Sequence, residues 1–141
     1  YVVPLSQVEY HHEYGMSRDD EVEAIAMDVA MKYEIEDGWR PEDVSKNNEG
    51  YDIRSTSPDK FKRYIEVKGR SAESGVMLSE NEMNRLAQLG DAAWLYMVMN
   101  CKTTPQLYRI QNPANTLKFE LKSKGIQYFL AMEEWKQKIN K

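Results

Sequence analysis

The stretch Ala-Ala-Trp-Leu-Tyr-Met-Val-Met-Asn, positions 92–100, is the most apolar in the chain. Its apolar residues run on without alternating with polar ones, so it reads as a central strand buried on both faces. A strand of that kind needs covering layers on both sides, which points to a mixed sheet flanked by helices. The segment "PQLYRIQNP" reads as its neighbouring strand. Upstream, Ser79 followed by Glu82 forms a capping box that opens a helix running to about Leu89, before Gly90.

A first helix is expected to start at Ser17 or Asp19, good N-caps with acidic residues following. Val22, Ile25, Ala26, Val29 and Tyr33 share one face at helical spacing, with Glu21, Asp28 and Lys32 opposite. Glu23 sits on the flank beside Ala26 and Ala30. Glu34 lies on the same flank but roughly 16 Å further along the axis, so one site can use either glutamate but hardly both. "EDGW" ends the helix, with Gly38 as a left-handed stop. "NNEG" is a turn leading to a strand over residues 51–55, and "SPDK" is the next turn. In "FKRYIEVKG", Ile65 and Val67 face one way and Tyr64, Glu66 and Lys68 the other. The short connection predicts an antiparallel hairpin. "GVMLS" reads as a third strand, "TLKFELK" as a possible further one, and "IQYFLAMEEWKQKIN" as a final amphipathic helix. The expected class is α/β (α+β), in the order α-β-β-β-α-β-β plus a C-terminal helix.

The 141 residues suit one domain, and 41% hydrophobic with 30% charged residues reads as globular. No apolar run approaches the ~18 residues of a membrane span. Residues 1–17 carry no sustained period and no signal-peptide pattern, so they read as a linker or arm ahead of a domain over 18–141. The missing initiator Met suggests a piece of something longer. The adjacent histidines of "HHE" would point to different faces and make a poor metal site. A single cysteine, Cys101, excludes an internal disulfide and fits a small core or edge residue, which makes an intracellular, cytoplasmic location the default. Net charge is −4 but uneven: residues 1–59 hold 5 Lys/Arg against 15 Asp/Glu, and residues 60–141 hold 14 against 8. The acidic half argues against indiscriminate polyanion binding, while the basic half leaves room for a phosphate-facing surface.

Within the hairpin, Glu66 and Lys68 project from one face of their strand, ~6–7 Å apart. Asp52 lies on the partner strand, in a register that places it beside Glu66. Two neighbouring carboxylates are unfavourable unless a cation neutralises them or one keeps its proton. Mg²⁺ suits this arrangement, because it takes hard oxygen ligands, keeps waters and accepts phosphate oxygens; the Val67 carbonyl adds a possible ligand. Lys68 beside such a centre can orient or deprotonate an attacking water and stabilise negative charge. A Glu-x-Lys triplet alone is common on a solvated strand. What adds specificity is Gly50-Tyr51-Asp52 ahead of it, on the pairing strand.

These strings, "GYDI" then "YIEVKGR", resemble the PD-(D/E)XK (restriction-endonuclease-like) superfamily. Together with "EVEAIAMDVAMKYE", "DVSKNNEGYDIRS", "LSENEMNRLAQLGDAAWLYMV" and "LYRIQNPA", they resemble more closely the NO VEIN C-terminal domain family, often appended to helicases. The resemblance covers about residues 19–114. It implies Asp52 and Glu66 as metal-binding carboxylates, Lys68 as the catalytic lysine and Glu23 as the added first-helix glutamate. The superfamily's proline is Tyr51 here. Asn81 and Glu82 match the family's own "NE", although the capping box already explains Glu82. Arg70 and Asn81 are possible substrate contacts, while Trp94, Tyr96 and Tyr108 fit core packing. The function implied is a Mg²⁺- or Mn²⁺-dependent DNA endonuclease module of a helicase or restriction/defence protein. A second expectation is an inactive nuclease-fold module that docks nucleic acid or protein. A third has the C-terminal helix contacting an acidic partner.

Overall fold

The computed structural model describes residues 18–122 and 127–139. The expected N-terminal arm, "HHE" and the candidate cap Ser17 lie outside them. Helix α1 (Arg18–Glu36) is followed by strands β1 (Arg40–Asp43), β2 (Ile53–Thr56), β3 (Lys62–Gly69) and β4 (Val76–Ser79). Helix α2 (Glu80–Leu89) and a 3₁₀ turn lead into β5 (Ala93–Met99), then β6 (Gln106–Gln111) and the short α3 (Pro113–Thr116). Strands β7 (Glu120–Lys122) and β8 (Gln127–Leu130) precede helix α4 (Met132–Lys138). The class is mixed α+β, as expected. Among the described residues no helix is long and apolar enough to cross a membrane.

A five-stranded sheet runs β1-β2-β3-β5-β6, with β3 and β5 parallel and the other pairs antiparallel. The apolar 93–99 strand is therefore internal, and its two faces feed different cores. Trp94, Tyr96 and Val98 turn toward α1, whereas Leu95, Met97 and Met99 pack against Leu86 of α2, Leu78 of β4, Leu130 of β8 and Trp135 of α4. The first helix buries Val22, Ala26, Ala30 and Glu34, a column repeating every four residues. Its small members let the helix come close to the sheet. Gly69 is the contact point, since a Cβ there would stand 2.7 Å from Ala26 Cβ and 3.0 Å from the Val22 carbonyl oxygen. Ile25, Val29 and Tyr33 pack at the margins rather than the centre of this interface. The helix ends as expected, with Gly38 at φ +85° and the Trp39 N–H donating to the Glu34 carbonyl at 2.8 Å.

Three features depart from the sequence reading. Strand β1 was not expected, because "RPED" has no alternation and contains a proline; it survives as the sheet's outermost strand, where a missing N–H costs least. Strand β4 does not join the central sheet but pairs with β8, Val76 opposite Leu130, in a second sheet ordered β4-β8-β7. The final helix is consequently shorter than the expected 126–140 segment, since Gln127–Leu130 is strand and only Met132–Lys138 is helical. The backbone of β4 needs a ladder partner, and buried Leu130 and Trp135 reach one core from the two different elements. Of the possible strand at 116–122, Glu120–Lys122 forms β7.

Candidate active site

The β2–β3 pairing ends with Ile53 opposite Ile65, and Asp52, immediately before it, sits against the same stretch of β3, with its side chain beside that of Glu66. Backbone bonds fix this entry to β2: the Asp52 N–H donates to the Ile65 carbonyl at 2.8 Å, and the Val44 N–H donates to the Asp52 carbonyl at 2.8 Å. The carboxylate itself accepts the Val67 N–H at 2.9 Å. The Val67 carbonyl projects to the same side of β3 as that N–H, toward the Asp52 edge. Glu66 is buried, with 2% of its surface exposed. Lys68 Nζ stands 3.4 Å from Glu66 Oε2 and 3.1 Å from Glu82 Oε1. These groups open into a cleft of about 1140 Å³, lined from the other side by α1 through Glu23, Ala26 and Met27.

The capping box at the start of α2 is present in full. The Glu82 N–H donates to Ser79 Oγ at 3.1 Å, and Glu82 Oε1 accepts the Ser79 N–H at 2.9 Å. The same Oε1 accepts from Lys68. Glu82 therefore caps the helix and holds the lysine with one oxygen. The sequence reading had not placed it in the site, because the cap was a sufficient local explanation; the "NE" pairing was the signal available.

Burial raises the Asp52 carboxyl above its ordinary range despite the Val67 N–H and the Lys68 charge. Glu66 is pushed well above its range by burial first and by the Asp52 charge second, with Lys68 only partly offsetting them. Burial works against the Lys68 ammonium, but Glu66 and Glu82 outweigh it and hold the amine protonated beyond its usual range. Burial also opposes ionisation of Glu82, yet Lys68 and the Ser79 N–H outweigh it and keep this carboxyl low. Three carboxyls thus face one ammonium, and Glu66 is the one whose acidity burial and its neighbour Asp52 weaken most.

The fold holds the Glu66 proton more tightly than the unfolded chain does. That contribution is complete below the ordinary carboxylate pKa and is lost as pH rises through the raised folded value. Glu66→Gln keeps the shape and removes the titration. In chelator it is expected to melt higher than wild type at about pH 8, with the gap closing toward about pH 4. Thermal melts at the two pH values check this, and a gap that does not depend on pH contradicts it.

The remaining candidates separate by position. Glu23 is exposed and lines the cleft from α1. Glu34 is fully buried at the other end of the helix, bound by Arg63 Nη1 at 3.0 Å to each carboxylate oxygen and by the Tyr96 hydroxyl. Of the two alternatives, Glu23 is the one in the cleft. Arg70 also lines it, but its guanidinium donates to the Gly69 carbonyl at 2.7 Å and the Gly75 carbonyl at 3.2 Å, which ties it to the loop after β3. Asn81 is exposed and is not part of the cleft wall. Tyr96 is buried and Trp94 and Tyr108 are half-buried in ring contacts, as core packing requires.

Among the described residues no group of three His, Cys, Asp or Glu side chains is gathered as a metal-holding set. Glu82 is engaged by Lys68 and by the helix cap, and Glu23 stands across the cleft. What Asp52, Glu66 and the Val67 carbonyl present is the sparser donor set that Mg²⁺ accepts when it retains several waters. The chemistry of the pair fits a divalent cation, because the buried Glu66 and the half-buried Asp52, with Glu82 beside them, set three acidic groups against the single Lys68 ammonium.

Fold and site together define an α+β domain with a paired-carboxylate and lysine centre at one end of its main sheet. The family model described as "Protein NO VEIN, C-terminal" matches residues 22–110, and the chain belongs to that family. The match runs from α1 through β6 and includes Glu23, Asp52, Glu66, Lys68 and Glu82. Neither a curated protein nor a solved structure matches the chain.

Proposed function

We propose that the domain is a Mg²⁺- or Mn²⁺-dependent nuclease module of the PD-(D/E)XK type, hydrolysing DNA phosphodiesters within a larger helicase or defence protein. The observation that carries this reading is the convergence of Asp52, Glu66 and Lys68 from two paired strands into one wall of the cleft. A bound cation would supply Lewis-acid polarisation of the phosphate and an activated water. The chain's own residues have distinct tasks. Asp52, steadied by the Val67 N–H, and Glu66 hold the cation with the Val67 carbonyl. Lys68, steadied by Glu82, faces the reacting phosphate and stabilises charge that develops there. Glu23 faces the centre from across the cleft, and Arg70, held by the Gly69 and Gly75 carbonyls, lines the cleft where a phosphate of the strand would pass. Titration of the protein with Mn²⁺, followed by cleavage assays on duplex and single-stranded DNA and RNA with Mg²⁺ or Mn²⁺, tests the reading. Absence of cleavage of every substrate with either metal overturns it.

One observation favours the alternative of an inactive docking module. The cleft is lined by six acidic residues, Asp20, Glu23, Asp43, Asp52, Glu66 and Glu82, against Lys46, Lys68 and Arg70. A polyanion is repelled by such a surface unless cations are present. Under this alternative, wild type takes up no Mn²⁺ in the titration.

A further inference from the structure

Arg85 reaches from α2 to the segment that delivers Asp52. Its Nε donates to the Glu49 carbonyl at 3.0 Å, and its guanidinium lies 4.0 Å from the Glu49 carboxylate and 5.9 Å from the Tyr51 ring centre. Gly50 makes the approach possible. It adopts φ +87°, and a Cβ there would stand 2.8 Å from Arg85 Cβ and 2.9 Å from Cγ. The side chain therefore lies flat on a backbone that has no room for anything but glycine.

Arg85 follows Glu82 by three residues, a spacing that puts both on one face of the helix. Glu82 holds Lys68 at 3.1 Å, and Arg85 holds the chain two residues ahead of Tyr51-Asp52. One rigid element thus grips both halves of the centre, the lysine on β3 and the lead-in to β2. Strand bonds hold the backbone of Asp52 itself, and the residues just ahead of it are the part that Arg85 grips. Residues 44–52 form a connection with Asn48 and Gly50 both at positive φ, and Asp52 precedes the first residue of β2. A carboxylate on a loop is positioned only as well as the loop is.

We propose that Arg85 is a positioning residue: by clamping Glu49–Gly50 it sets the Asp52 carboxylate against the Val67 N–H. What the placed carboxylate is for rests on the nuclease reading; the clamp itself does not. Partners of this outer kind typically change metal affinity by about 10- to 100-fold when removed.

The test uses the full 141-residue chain and four proteins: wild type, Arg85→Ala, Gly50→Ala and Leu86→Val. Leu86 is buried in the core beside Arg85 on α2, so its truncation loosens the helix without touching the clamp. Two quantities are measured, exchange of the Val67 amide by NMR and affinity for Mn²⁺ by calorimetry. In Arg85→Ala and Gly50→Ala the Val67 amide is expected to exchange about tenfold faster and Mn²⁺ to bind at least about tenfold more weakly. Leu86→Val lowers the melting temperature and moves neither. Val67 exchange that is unchanged in folded Arg85→Ala, or that Leu86→Val accelerates equally, overturns the proposal. If Gly50→Ala does not fold, Arg85→Ala decides alone. If wild type binds no Mn²⁺, the nuclease reading falls, and Val67 exchange still decides the clamp.

Discussion

Lys68→Met is expected to reduce metal-dependent DNA cleavage by at least about a hundredfold while binding Mn²⁺ no more weakly than wild type. The expectation rests on the nuclease reading and separates the lysine's task from that of the carboxylates. Methionine keeps the length and the apolar stem of the side chain but ends in no charge. The ammonium now 3.4 Å from Glu66 and 3.1 Å from Glu82 would be gone, leaving the acids more negative toward a cation. Binding is therefore preserved or strengthened, and only the charge that faces a reacting phosphate is lost. A purely structural lysine would give the opposite pattern, with a weaker fold and cleavage that recovers once Mn²⁺ is saturating. Calorimetry with Mn²⁺ and single-turnover cleavage at saturating metal distinguish the two. Cleavage by the variant within about tenfold of wild type removes Lys68 from the chemistry.

The parts of this molecule that were legible in the sequence are those whose causes are local. The unbroken apolar run at 93–99, the Ser79–Glu82 capping box, the Gly38 stop and the turn between β2 and β3 each announce themselves within a few residues. The closeness of Asp52 and Glu66 was legible because the short turn pairs β2 with β3 as a hairpin, although the register slips by one residue at Asp52 itself. Strand β8 was hidden because its cause is distant: β4 lies about fifty positions away and supplies the ladder that turns a helix-like stretch into strand. Strand β1 has no apolar pattern of its own and exists because β2 offers it an edge. Glu82 shows a subtler limit. The local account of it as a cap was correct and complete in itself, yet the same oxygen also serves Lys68 across the fold. Arg85 and Gly50 likewise meet over 35 residues of sequence, which no short pattern encodes.

The choice between Glu23 and Glu34 shows why distant partners decide such cases, and it leads to the largest stability effect expected here. Both glutamates lie on one flank of α1, so helical spacing could not separate them. What separates them is across the sheet: Arg63 on β3 and Tyr96 on β5 converge on Glu34, and Trp39 stacks on Arg63 at 3.8 Å. Burial first and then the Glu34 carboxylate push the Tyr96 phenol well above its ordinary range, so it remains a hydrogen-bond donor. Glu34→Ala leaves a guanidinium with only 12% of its side chain exposed, whose remaining carboxylate partner is the outer Asp37 at 3.1 Å, and takes the carboxylate acceptor from the tyrosine hydroxyl. Breaking a buried pair from one side costs about 3–5 kcal/mol, a fall in melting temperature on the order of 10 °C for a chain of this size. Replacing both partners, as in Glu34→Leu with Arg63→Met, is expected to recover much of that loss, because no charge is then left uncompensated. Denaturant titrations of the single and double variants measure both quantities. A single-variant loss below about 1 kcal/mol would mean that the pair is solvated in solution. Folded Glu34→Gln, in contrast, is expected to bind Mn²⁺ as wild type does, since Glu34 is no part of the cleft wall, whereas Glu23 is.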